Sequence, residues 1–168
     1  LTGGSTEGIH AMLGAICSDG GSVLLDRNCH KSVTSACALF DLNPYFVYPE
    51  ILEPYGFGGK LSLEQTENQL KTHKDIKAML IVSPNYYGII QDIKALADLC
   101  HSYNVKLLVD AAHGAHFPAI NLPSPIELGA DAAVLSAHKT LPALGQAAYL
   151  ITADTVDSKA IRQTESMV

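Results

Sequence analysis

Short apolar runs recur along this chain, and each ends on residues that carry chemistry. Ser22–Leu25 runs into Asp26-Arg27-Asn28-Cys29-His30-Lys31-Ser32. Lys77–Val82 ends on Ser83-Pro84-Asn85-Tyr86-Tyr87-Gly88, and Lys106–Val109 delivers Asp110. Ala132–Leu135 leads into Ser136-Ala137-His138-Lys139-Thr140. Amphipathic stretches lie between these runs. Ile9, Met12, Leu13 and Ile16 follow i, i+3, i+4, i+7, and Ile93, Leu96, Ala97 and Cys100 form a second stripe, the mark of helices with one buried face. Wholly apolar strands alternating with such helices specify an α/β fold, a mostly parallel sheet covered by helices on both faces. Ligands in such sheets bind beyond the carboxyl ends of the strands. The polar clusters all follow strands, so they are expected to share that one edge.

The remaining elements fit the same plan. Helices are expected over Ser32–Phe40, from the capping Ser62 through Leu70, and over Asp92–Tyr103; Tyr45–Tyr48 reads as a strand and the Pro- and Gly-rich Glu50–Lys60 as a loop. Pro118–Leu128 is a connection. After Pro142, Gly145–Ile151 reads as one more strand. About ten residues separate it from the preceding strand, too few for a helical crossover, so it is expected to be antiparallel. Asp154–Val168 carries a helical pattern with no closing signal, and the chain opens on Leu1-Thr2-Gly3-Gly4. Both ends suggest a piece of a longer subunit.

Several of the clusters have specific chemical uses. A buried strand ending on Ser136-x-His138-Lys139 presents an amine at a sheet edge beside a hydroxyl and an imidazole. Burial disfavours a lysine's charged form, and a neutral lysine is a nucleophile that condenses with carbonyls. Asp110, directly after an apolar strand, lies where an unpaired carboxylate is costly. It calls for a cation: a protonated pyridine nitrogen, or a lysine or arginine. Gly3-Gly4-Ser5-Thr6-Glu7-Gly8 is a glycine-and-hydroxyl turn at a helix start. It suits a phosphate, through free N–H groups and the helix dipole, and equally an ordinary Ser or Thr cap. It lacks the lysine of a P-loop and the dinucleotide-binding spacing. His30 precedes a helix, where its ring either stacks on a flat cofactor or caps the helix.

Composition excludes some alternatives. A net charge of −6 argues against binding nucleic acid by neutralising phosphates. No apolar run reaches membrane-span length. Cys17, Cys29, Cys37 and Cys100 contain no C-x-x-C pair and read as reduced thiols of a cytoplasmic protein. His113-x-x-His116, with His138 and Asp110, offers metal-ligand chemistry, but Gly114 and Pro118 make the segment a loop, and no metal is expected. Ser136 lacks the G-x-S-x-G elbow of a hydrolase.

Taken together, RNCHKS at Arg27–Ser32, SPNYYG at Ser83–Gly88, DAAHGAHF at Asp110–Phe117 and SAHKTLPAL at Ser136–Leu144 resemble the bacterial Orn/Lys/Arg decarboxylases, pyridoxal phosphate (PLP) enzymes of the aspartate-aminotransferase fold. The resemblance covers nearly the whole chain, with the motifs in the family's order. It implies that residues 1–168 are the PLP-binding major domain, without the family's amino-terminal segment and small carboxy-terminal domain. It further implies decarboxylation of lysine, ornithine or arginine to a diamine or agmatine in polyamine biosynthesis, in a homodimer or higher homo-oligomer. Lys139 is similar to the Schiff-base lysine, Asp110 to the carboxylate at the pyridinium nitrogen and His30 to the histidine stacked on the ring. Ser5 and Thr6 match the phosphate turn, Ser136 and His138 the other phosphate and cofactor contacts. His113 holds the position three after the aspartate, where the family carries His or an aromatic. Two departures stand out: Gly3-Gly4-Ser5 replaces an Asn-Gly-Thr type of turn, and Asn85 stands where Thr is common. The alternatives are another fold-type-I enzyme, an aminotransferase or lyase, and an inactive excised domain.

Overall fold

The computed structural model describes residues 1–167. A six-stranded sheet has the order β2-β1-β5-β6-β7-β8. Its strands are β1 (Gly21–Asp26), β2 (Leu42–Val47), β5 (Ile76–Val82), β6 (Lys106–Asp110), β7 (Ala132–Ser136) and β8 (Ala148–Thr152). All neighbouring pairs are parallel except β7 and β8, which run antiparallel from Ala132↔Thr152 to Ser136↔Ala148. The short link between these two strands holds only a single helical turn, α5 (Ala137–Thr140).

Strand alternation divides the core in two. Leu24, Met79, Ile81, Leu107 and Val109 pack on one face against α3 (Leu63–Thr72) and α4 (Ile93–Ser102), through Leu70, Leu96 and Cys100. Val23, Leu25, Leu80, Leu108 and Val134 pack on the other against α1 (Ser5–Ile16), α2 (Lys31–Leu39) and α6 (Ser158–Glu165). Each large aliphatic side chain buried here contributes about 2 kcal/mol. Asp92 caps α4 by accepting from Ala95 N at 3.1 Å, and Ser62 caps α3 through Gln65 N at 3.3 Å. The terminal helix ends at Glu165; the expectation of helix at Val168 lies outside the described residues.

The expected loop over Glu50–Lys60 is instead a β-hairpin. β3 (Pro49–Leu52) pairs antiparallel with β4 (Phe57–Leu61), in register at Ile51↔Gly58 and Leu52↔Phe57. Pro54, Gly56, Gly58 and Gly59 hide the strand pattern, but each glycine serves the hairpin. Gly56 turns the chain at φ 71°, and a Cβ on Gly58 would collide with the Asn28 amide and lie 2.8 Å from Pro49. β2 also starts earlier than expected, at Leu42, and runs through Pro44. An edge strand tolerates proline because its outer N–H positions need no partner.

Candidate functional site

A cavity of about 1240 Å³ opens at the carboxyl ends of β1, β5, β6 and β7 and is lined by the start of α1. All the candidates read from the sequence line it: Ser5, Thr6, His30, Asn85, Asp110, His113, Ser136, His138 and Lys139. They come from separate strand–helix junctions, so the parallel topology alone brings them together.

The glycine turn forms the first wall. α1 begins at Ser5, with Gly4 as its N-cap at φ 147°, and no side chain caps the helix. Ser5 is therefore not an ordinary capping serine. Its hydroxyl is hydrogen-bonded to that of Ser136, the buried last residue of β7. Glu7 accepts a hydrogen bond from Gly3 N. The N–H groups of the first turn lack helical acceptors and carry the positive end of the dipole, so this corner favours an anion.

Asp110 ends β6 and is 4% exposed. Its carboxylate accepts one hydrogen bond, from Ala112 N at 3.1 Å. Burial pushes its pKa up, and the Ala112 N–H, Lys139, His30 and His113 offset this only in part. It is a carboxylate that a further cation would stabilise. A second buried acid, Asp26, ends β1 and accepts from Asn28 N at 2.8 Å and Val82 N at 3.4 Å; burial raises its pKa as well. Cys29 is inert beside it, its thiol pushed up to about 11 chiefly by burial.

The two readings of His30 resolve in part. It caps α2: Nδ1 accepts from Ser32 N at 3.2 Å and lies 2.8 Å from Ser32 Oγ. Capping fixes the ring at the cavity wall with Nε2 carrying the proton. Asn85 is engaged within the protein. Its Nδ2 donates to Gly58 O at 3.0 Å, and its Oδ1 accepts from Tyr87 N and Ile89 N at 2.9 and 3.0 Å. The side chain ties the β5–α4 loop to the hairpin, and this network holds the loop's aromatic residues at the rim.

Lys139 departs from the expectation of a buried amine. Though β7 is wholly buried, α5 turns Lys139 outward, and the residue is exposed at the cavity. Its Nζ lies 3.4 Å from His113 Nε2.

The sequence reading left other wall residues unassigned. Phe57 stacks on Tyr87 with centroids 4.3 Å apart, and Tyr86 stands edge-on to His113 at 6.1 Å. The tyrosines belong to the quoted SPNYYG motif, but Phe57 was hidden with its hairpin. Glu7 and His10 line the cavity from α1, and their i, i+3 spacing was the available signal. His116 packs edge-on against Phe117, with centroids 5.0 Å apart. No group of three metal-ligating side chains converges among the described residues.

The aspartate aminotransferase of Thermotoga maritima superposes with a TM-score of 0.80 at 19% identity, covering 99% of this chain and 45% of that one. The PLP-bound C-S lyase of Staphylococcus hominis gives 0.73 at 13%, over 98% and 43%. The fold is thus that of the aspartate-aminotransferase-type PLP enzymes. More narrowly, the chain belongs to the Orn/Lys/Arg decarboxylase family, whose major-domain model matches residues 1–168. The arginine decarboxylase of Bacillus subtilis (strain 168) is 35% identical over 158 residues, 93% of this chain and 32% of that protein. The O-phospho-L-seryl-tRNA:Cys-tRNA synthase of Methanosarcina mazei is 30% identical over 154 residues, 89% and 39%. The chain thus spans about a third of the length of the curated relatives it matches. The cofactor expected from the sequence, pyridoxal phosphate, is that of the family and its fold neighbours.

The residues present fit that cofactor. The hydroxyl pair and open helix start suit a phosphate, the under-partnered Asp110 suits a ring cation, and Lys139 offers an amine in the same cavity.

Proposed function

We propose that residues 1–168 form the PLP-binding major domain of a decarboxylase acting on a basic amino acid: lysine, ornithine or arginine. The observation that carries this reading is the convergence of Lys139, Asp110, His30 and the Ser5–Ser136 pair on one cavity. The curated relatives named arginine decarboxylase favour arginine, with agmatine and CO₂ as products.

When bound, pyridoxal phosphate supplies a conjugated ring that takes up the electron pair left at Cα as CO₂ departs. The protein's own groups make this possible. Ser5, Thr6, Ser136 and the first-turn N–H groups of α1 hold the phosphate. His30, fixed by Ser32, presents its ring to the cofactor plane. Asp110 would hold a proton on the ring nitrogen, a cation that would in turn relieve the cost of burying the carboxylate. Lys139 Nζ provides the anchoring amine, and His138 lies beside it. Phe57, Tyr86 and Tyr87 limit water at the mouth. Asn85 acts by holding the loop that carries the tyrosines.

Tyr86 and Tyr55 are 82% and 73% exposed beside the cavity, which supports a homodimer that covers them. No helix among the described residues is long and apolar enough to cross a membrane, and the four cysteines are free. Free thiols fit a cytoplasmic setting, and a place in polyamine biosynthesis follows from the proposed product, a diamine or agmatine.

The synthase relatives favour a second reading, chemistry on a tRNA-borne amino acid. The net charge of −6 speaks against a tRNA partner held by phosphate contacts.

Reconstitution with PLP, borohydride reduction and peptide mapping test the site: the label belongs on Lys139. CO₂ release from lysine, ornithine and arginine tests the reaction. Keto-acid formation without CO₂ assigns an aminotransferase instead. A label on another lysine overturns the site.

A further inference from the structure

We propose that His113 is the proton acceptor that frees the Lys139 amine to react. This rests on the reading of Lys139 as the cofactor's anchor and adds a catalytic residue to it. The problem is set by the position of Lys139. An alkyl ammonium has no lone pair, so a proton must leave Nζ before it can attack a carbonyl. Lys139 is exposed at the cavity, so the acceptor must be a group that faces it there.

The nearby groups leave one suitable base. Four histidines line the cavity, and three are tied to the backbone through a ring nitrogen: His10 Nε2 to Ser32 O at 3.2 Å, His30 Nδ1 to Ser32 N at 3.2 Å and His138 Nδ1 to Ala147 O at 3.2 Å. His113 has no backbone partner among the described residues. Its Nε2 faces Lys139 Nζ at 3.4 Å, and its buried Nδ1 has no hydrogen-bond partner. No hydrogen bond at Nδ1 fixes its tautomer, so Nε2 is able to turn a lone pair toward the amine. Other charged groups also face the pair. Asp110, from β6, interacts with Lys139, His30 and His113 alike. His138 adjoins Lys139 in α5, and the Tyr86 ring flanks His113.

One Nζ–H bond breaks, its electron pair stays on nitrogen, and the proton forms a bond with His113 Nε2. With pyridoxal phosphate bound, the lone pair would add to its aldehyde carbon and a nitrogen proton would pass to the aldehyde oxygen. His113 would return its proton to that oxygen, which would leave as water while a C=N bond replaced C=O. His113 ends as it began, and no other reactant is needed.

The test follows covalent labelling of Lys139 against pH by mass spectrometry, with two probes: PLP trapped by borohydride, and trace acetic anhydride without cofactor. His113→Gln keeps a polar side chain but accepts no proton. Its PLP labelling rate is expected to fall about a hundredfold near neutrality, the usual scale of general acid–base assistance, and to rejoin the wild-type rate at alkaline pH. Acetylation is expected to shift to higher pH in the same way. Equal rates near neutrality overturn the proposal. So does a loss by one constant factor at every pH, which marks a purely structural role. A measurement on the unaltered chain needs no variant: Lys139 reactivity must rise through the titration of His113 followed by NMR, and a rise elsewhere overturns the inference. PLP labelling of another lysine defeats the cofactor reading, while acetylation still decides the role of His113.

Discussion

The hydroxyls of Ser5 and Ser136 are hydrogen-bonded to each other, although 131 residues separate them. One belongs to the first turn of α1 and the other ends β7. The contact joins the anion-favouring helix start to the strand that delivers Lys139, so a phosphate bound there would be held in a set position relative to the amine. Ser136→Ala removes a hydroxyl buried at 0% exposure. It is expected to weaken PLP binding about tenfold, the equivalent of one hydrogen bond, as measured by absorbance titration. Unchanged affinity would separate this pair from the phosphate.

Asp110→Asn separates stability from function. An acid whose pKa is raised on folding destabilises the folded state once ionised. That penalty is absent below the ordinary value of 3.8, grows as pH rises toward the folded value and is complete above it. The cofactor-free variant is therefore expected to melt higher than wild type near neutrality, with no gain below about pH 3.5. Turnover with PLP is expected to fall at least about a hundredfold. Differential scanning calorimetry and CO₂ release measure the two effects, and a variant with normal turnover removes Asp110 from the mechanism.

Asp131, at the opposite end of the sheet, behaves in the reverse way. It is 3% exposed and accepts from His101 Nε2 at 2.8 Å, Lys106 Nζ at 2.9 Å and Leu107 N at 2.9 Å. Burial raises its pKa, but Lys106, His101 and the Leu107 N–H outweigh this and bring it below the ordinary value. Its stabilising contribution is present above pH 3.8 and is lost as pH falls through the lower, folded value. Asp131→Asn is expected to cost about 2 kcal/mol near neutrality, a figure held down by its half-exposed partners. Urea midpoints of wild type and variant should converge in strong acid.

Gly14 marks a close contact between helices. A Cβ there would strike the Phe40 ring and lie 2.7 Å from Thr164 Cγ2 of α6. Alanine gains about 1 kcal/mol of helix propensity, but overpacking costs about 1 to 3 kcal/mol. Gly14→Ala is expected to lose about 1 kcal/mol net, read from the urea midpoint. A stabilised variant would show that α6 yields.

Much of this architecture was legible because burial on both faces leaves an unbroken apolar run in each central strand. Val109 ending on Asp110 and Leu135 ending on Ser136 place the acid and hydroxyl without any coordinates. The hairpin was not legible: Gly58 and Gly59 serve close backbone approach, and their lack of side chains erases the alternation by which strands are recognised. The orientation of Lys139 was hidden for a different reason. Apolar neighbours imply a buried residue, yet the one-turn helix α5 rotates it outward. Its contact with His113, 26 positions away, depends on α5 facing the loop that follows the neighbouring strand β6. The periodicity of either segment does not contain that distance.

Because the reactive side chains sit at strand–helix junctions beyond the sheet, a substitution there changes contacts in the cavity and leaves the aliphatic layers beneath undisturbed. Diversification of catalysts on this scaffold can therefore proceed junction by junction, at little risk to folding.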